Sequence, residues 1–329
     1  MKLFDTSSAN GVMHPFWVIV SKEIADHIRS WRFIILVAII LLTCFGSLYT
    51  SLANIGKVIK PTDPEDAFFF LKLFTASDGT LYPFFVFIGF LGPLLGISLG
   101  FDAINTEHNR GTLSRVLAQP VHRDYLINAK FVAALTVISV MFFALGFLVV
   151  GLGLITIGIP PTAEEFLRIV FFILLSICYV AFWLNLAILF SVQFRQAATS
   201  ALACIAVWLF FSIFYGMIVD VIGKAIAPPD LLAMASEYKQ VAFQNFILNL
   251  MRISPSQMFM DASNALLMPN MRILGAFTME QAQGAIPSPL PLGQSLLIVW
   301  SQLTALIAGT VTWFGLSYLS FMRREIRSR

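Results

Sequence analysis

Charge is scarce in this chain. Of its 329 residues, 12% are Asp, Glu, Lys or Arg and 58% are hydrophobic. A soluble domain carries roughly 25% charged residues, so a soluble two-domain protein is excluded. Cysteine is scarce too: Cys44, Cys178 and Cys204 all sit in apolar runs without Cys-x-x-Cys spacing. That rules out a disulfide scaffold and reads as three small apolar side chains. The four histidines, His14, His27, His108 and His122, lack metal-ligand spacing, and no His-Glu-x-x-His occurs. A phosphate cradle is missing as well. Gly56-Lys57 and Gly223-Lys224 are followed by Val58 and Ala225, not by Ser or Thr. No nucleophile elbow is present. A net charge of +3 gives no electrostatic footprint for nucleic acid.

Long charge-free runs fill the space these absences leave. They cover 33–56, 79–101, 131–163, 169–194, 196–219 and 281–322. A helix needs about 20 mainly apolar residues to cross a bilayer. The runs predict an all-α polytopic membrane protein with spans near 33–53, 80–101, 131–155, 169–190, 197–219 and 295–319. Pro287, Pro289 and Pro291 trim the last run to a connector followed by a span. Ser191–Gln196 is long enough for a tight hairpin at the membrane surface. One kinked helix through both runs would be about 50 residues long, well beyond bilayer thickness. The first fifteen residues hold no apolar core of the kind a cleaved signal has.

Orientation follows from Lys and Arg. With both termini inside, the inner segments hold 13 of the 21 basic residues and 7 of the 18 acidic ones. Positive-inside counting therefore places both termini in the cytoplasm of a multi-pass cell-membrane protein.

Three connecting segments carry more pattern than a connector needs. Residues 14–32 read as an amphipathic interface helix. Phe16, Trp17, Val20, Ile24, Ile28 and Trp31 fall on one face, and Lys22, Asp26 and Arg29 on the other. It serves either as a plain anchor or as a docking surface. The inner segment 102–130 is longer than a connection requires. Gly111 permits a sharp turn, Thr112 can cap a short helix over Leu113–Gln119, Pro120 ends it, and Asp124 can cap the next span. Glu107 is placed to pair with a partner's basic group, or with Arg110 or Arg115. The outer loop 220–294 is broken by Pro228, Pro229, Pro255 and Pro269 into helices near 230–251, 256–267 and 271–283, lying on the membrane surface. It holds Met234, Met251, Met258, Met260, Met268, Met271 and Met279. Thioethers suit Cu(I), but Met also fills irregular packing.

Within the spans, Gly92, Gly96 and Gly100 recur every four residues, as close helix packing requires, either within the chain or across a dimer. Asn185 and Gln302 read as interhelical glue. Acidic and basic residues are almost absent from the spans. Ion-coupled transporters ordinarily need such groups, so energy must come from elsewhere.

The inner segment resembles a known signature. Phe101-Asp102-Ala103-Ile104, Glu107, Arg110-Gly111-Thr112-Leu113, Pro120-Val121, Arg123 and Lys130 are similar to the pattern of ABC-2 type transporter permeases. The opening helix with Lys22-Glu23 and Arg29 resembles that family's first helix, and the likeness runs over 1–329 as a single transmembrane domain. The resemblance implies a non-enzymatic permease subunit, an exporter half, with no cofactor of its own. A separate cytoplasmic ATPase, in two copies, would bind ATP and Mg and drive it. A second permease chain, identical or different, would complete the path. The implied ATPase contact comprises Lys22, Glu23, Asp26, Arg29, Glu107, Arg110, Gly111, Thr112, Arg115, Pro120 and Arg123. Two alternatives stand beside this reading. One is an accessory permease for extracytoplasmic copper-enzyme maturation. The other is a membrane-embedded enzyme or sensor built on the outer loop.

Overall fold

The computed structural model describes residues 14–58, 68–77, 79, 81–109, 111, 122–158, 160–228, 235–270, 275 and 289–323. Every regular element among them is helical. Six helices are long and apolar enough to cross a membrane. They are α2 (Trp31–Val58), α4 (Phe84–Gly100), α6 (Arg123–Ile157), α7 (Ala163–Gln193), α8 (Ala197–Leu209) with its continuation α9 (Tyr215–Ile226), and α12 (Leu292–Arg323). Shorter helices are α1 (Pro15–Ile28), α3 (Phe69–Thr75), α5 (Asn105–Asn109), α10 (Glu237–Met251) and α11 (Pro255–Leu267).

Helix α7 is the core of the bundle. Its apolar window is 72% buried, against 17% for the α8–α9 span. Thr162-Ala-Glu-Glu starts it with a capping box. The Thr162 hydroxyl accepts from Glu165 N–H, and the Glu165 carboxylate accepts from Thr162 N–H. The glycine stripe packs here. A Cβ on Gly96 would lie 2.6 Å from the Val180 carbonyl oxygen, and one on Gly100 2.8 Å from that of Leu184. A Cβ on Gly92 would meet Val180 Cγ2 at 2.9 Å. The stripe therefore serves α4–α7 packing within one chain. Asn185 donates to Thr310 O at 3.2 Å, tying α7 to α12.

Several local expectations change. The amphipathic helix does not run to residue 32. It stops at Ile28, where Arg29 N–H closes onto Ala25 O, and Ser30 then accepts from Phe33 N–H to start α2. Val20 is buried as its place on the apolar face predicts, but Glu23 is buried beside it and Trp17 is exposed, as is Trp31, which belongs to α2. Helix α6 has His122 at its N-cap without a side-chain bond, and Asp124 lies in the first turn instead. The predicted 113–119 and 271–283 helices lie outside the described residues.

The larger change concerns the outer loop. Helix α10 runs back along α9 with none of its residues buried, and α11 turns from its end and sinks into the bundle. Phe259 stacks on Tyr179, near the middle of α7, with ring centroids 4.4 Å apart. Leu266, at the other end of α11, reaches Arg168 near the start of α7. The reason is the face of α11: Phe259, Ala262, Ala265 and Leu266 are all buried, so the helix sinks where it can cover them. Pro255 at its first turn restarts the chain as a helix after α10.

Candidate functional site

One end of the bundle, where α1, α5 and the start of α6 meet, gathers charges from four helices. Helix α1 lies on α6 through Val20, Ala129 and Ala133. The small alanines let it approach closely, and that brings Glu23 onto Lys130. Lys130 Nζ lies 2.9 Å from Glu23 Oε2 and 2.7 Å from Glu107 Oε1. One ammonium thus joins α1, α5 and α6. The side chains of Lys130 and Glu23 are only 7% and 8% exposed, so neither is a solvated surface charge. Lys22 lies 3.0 Å from Glu23 and 3.2 Å from Asp26. Arg32 meets Asp102 at 2.7 Å and stacks over Phe101.

Burial opposes ionisation of Glu23, but Lys130 and Lys22 outweigh it and hold its carboxyl below the usual range. For Lys22, burial pulls down and Glu23 and Asp26 push up more, so its ammonium is stabilised. His27 is pushed down chiefly by burial, so it favours the neutral imidazole. Beside the cluster lies a cavity of about 470 Å³, lined among others by Lys22, Asp26, His27, Arg32, Asp102 and Thr106.

Helix α5 is held from the other side by the α7–α8 hairpin. The Ser191 hydroxyl accepts from Ile104 N–H at 2.8 Å and Asn105 N–H at 3.3 Å, and Asn109 donates to Arg195 O at 2.8 Å. Gly111 follows with φ +67°, in the left-handed region that favours glycine. Arg123 reaches the end of α12 by donating to Phe321 O and lying over its ring.

Of the residues singled out from sequence, Lys22, Glu23, Asp26 and Glu107 thus come together. Arg29 caps α1 nearby. Arg110, Thr112, Arg115 and Pro120 lie outside the described residues. Glu107 has a partner its spacing did not disclose. It is an intrachain ligand of Lys130 and not an exposed carboxylate, so its loss touches the fold. Arg32 and Ser191 were not singled out, and Asp102 and Lys130 were named only as part of the signature, without the pairings they make here. The signal for Lys130 was available: a single ammonium at the mouth of an apolar run needs a counter-charge, and Glu23 and Glu107 are inner carboxylates. Among the described residues no group of three or more His, Cys, Asp or Glu is arranged to hold a metal.

This is a helical multi-pass membrane protein with an ionic node at one end of its bundle and no catalytic constellation among the described residues. A family model described as ABC-2 family transporter protein matches residues 17–326, and the chain belongs to that family. Its members are permease subunits of ABC transporters and are not themselves catalytic. The probable ABC transporter permease protein NosY of Pseudomonas aeruginosa is 24% identical over 207 residues, covering 62% of this chain and 70% of the relative.

Proposed function

We propose that this permease is half of an exporter, energised by an ATPase that docks on α1 and on the Glu107–Arg123 segment. The reading rests above all on one observation, the Lys130 ammonium shared by Glu23 and Glu107. A push on α5 from below is felt by α1 and α6 together, because they share that cation. Ser191 and Asn109 extend the linkage to the α7–α8 turn. ATP and Mg belong to the partner, and this chain carries no cofactor. Two such chains, identical or different, with two ATPase chains make the working unit. The 13-to-8 split of basic residues supports cytoplasmic termini. The copper-maturation alternative draws on methionines, yet Met258, Met260 and Met268 pack against the apolar core, as gap-filling Met does.

The test is co-expression with a candidate ATPase and assay of the purified material. The isolated permease should hydrolyse no ATP, the complex should, and transport should follow hydrolysis. Hydrolysis by the isolated chain, or no recoverable ATPase complex, sinks the reading. Cysteines placed at Thr106 and Ser236 should label from opposite sides of the membrane.

A further inference from the structure

Where α10 gives way to α11 lies a second cavity, of about 270 Å³. It sits between α4, α9, the α10–α11 junction and a π-helical turn, Phe210–Phe214, that joins α8 to α9. Such turns widen a helix locally and gather at functional sites. Here the Phe211 carbonyl takes the Ser254 hydroxyl at 3.1 Å, which pins the α10–α11 junction to the turn.

The direction of the hydrogen bonds around this cavity can be worked out. Tyr179 has one hydroxyl proton, and it goes to Gly89 O at 3.0 Å. Its 3.1 Å bond to Ser256 must therefore be donated by Ser256. Ser256 has then used its proton, so the 3.2 Å bond to Ser212 is donated by Ser212. The Ser212 oxygen is left as an acceptor. Tyr215 spends its proton on Leu250 O at 2.7 Å, which also leaves an acceptor oxygen. Gln257 donates its amide to Asp261 at 2.7 Å and retains its carbonyl oxygen. Ser212, Tyr215 and Gln257 all line the cavity.

No Asp, Glu, Lys or Arg lines it. The nearby Arg252 and Asp261 neutralise each other at 2.8 Å. Ser254 and Ser256 also line it, their protons spent within the chain, and much of the remaining wall is apolar, with Val86, Phe90, Met251 and Met260; Phe90 is 48% exposed on the bundle surface, where acyl chains would lie. A charged ligand would be desolvated here without a counter-charge. A bare ion would leave most of the volume unfilled.

We infer that this cavity binds an uncharged amphiphile entering from the bilayer, whose hydroxyl groups donate to Ser212, Tyr215 and Gln257. The inference builds on the permease reading only in making this molecule cargo. Binding itself is measured without the ATPase, so either can fail alone.

Gly216 supplies the test. It lines the cavity, and a Cβ added there would meet no atom within 4 Å. Gly216→Leu therefore adds bulk at the cavity wall where its Cβ has open space, at a helical position where Leu is the better helix former. The full chain in nanodiscs is photolabelled with a diazirine monoacylglycerol, or with a lysophosphatidic acid of the same acyl chain. The monoacylglycerol should mark residues 211–216 and 251–260 at least fivefold above the phosphate-bearing probe. Gly216→Leu should cut that labelling at least fivefold with the thermal midpoint held or raised. Ser212→Ala, which keeps the space but removes one acceptor, should weaken it about threefold. Equal labelling by both probes, or labelling indifferent to both variants, overturns the site and leaves only annular lipid.

Discussion

The bundle holds one buried cation near each end, and the two are built differently. At the end where α7 begins, Arg168 is fully buried, and its guanidinium is spent on oxygens of the chain. It donates to Leu266 O at 3.0 Å, to Ser295 Oγ at 3.1 Å, to Leu290 O, and to Glu164 one turn back. The fork binds the end of α11, the segment before α12 and α12 itself to α7. Two of its four partners are backbone carbonyls, which move only if the chain does. At the opposite end, Lys130 is a point charge whose partners are two carboxylates on long side chains of separate helices, next to a cavity of about 470 Å³. A planar fork that reaches two carbonyls is a rivet, whereas an ammonium between two side-chain carboxylates is a joint. One end is fastened partly to backbone, and the other is held by side-chain charges alone.

The strongest way to break this contrast is at Arg168. Arg168→Leu should cost about 3–5 kcal/mol, because two carbonyls and Glu164 lose a buried partner. Arg168→Lys should fare little better, since an ammonium cannot span the fork. Both are read as loss of monodisperse protein and a large fall in thermal midpoint. If Arg168→Lys behaves as wild type, the rivet is no more than a charge.

Lys130 comes next. Lys130→Met strands Glu23 and Glu107 together and should cost about 2–3 kcal/mol, less than Arg168 because Glu107 is partly hydrated. Adding Glu23→Gln and Glu107→Gln to Lys130→Met should restore most of the thermal midpoint. The triple variant should still lose ATPase-coupled transport, because three helices no longer share a cation. Normal coupling in the triple variant would reduce the joint to packing.

A smaller effect is set by pH. The folded pKa of Glu23 lies below the ordinary 4.5. Its contribution to stability is therefore full above about pH 4.5 and fades as pH falls through the folded value. Wild type should lose thermal midpoint on acidification more steeply than Glu23→Gln, with the two curves converging at the acid end. Smallest of all is Arg32→Gln. Arg32 is half exposed in its pair with Asp102, so the change should cost under about 1 kcal/mol and shrink further in high salt. Thermal midpoints at low and high ionic strength check this.

Much of the architecture was legible beforehand for a plain reason. A bilayer demands long apolar runs, and charge-free stretches announce themselves whatever they pack against. Caps were read less well: Asp124 lies in the first turn of α6 and not at its cap, and the Thr162–Glu165 box, though local, was not singled out. The glycine stripe could be seen but its partner could not, since close approach to a neighbouring helix and to a second chain need the same residues. Only the Val180 and Leu184 carbonyls, 2.6 and 2.8 Å from the missing Cβ positions, assign it to α7.

Chain-distant pairings were out of reach for the same reason. Glu23 and Lys130 are 107 residues apart, and Arg168 and Ser295 are 127 apart. No periodicity links them. The outer loop was misjudged as surface-lying because its amphipathic helices would cover an interface equally well from above. What decided otherwise was a matching depression in the bundle, where Tyr179 receives Phe259 and Ser256. Composition and run length thus determined by themselves that this is a six-span helical membrane protein, since solvation by lipid acts on each segment separately. Which helices touch, where α11 sinks and which carboxylates Lys130 holds were decided by the tertiary structure, because those energies exist only once distant segments meet.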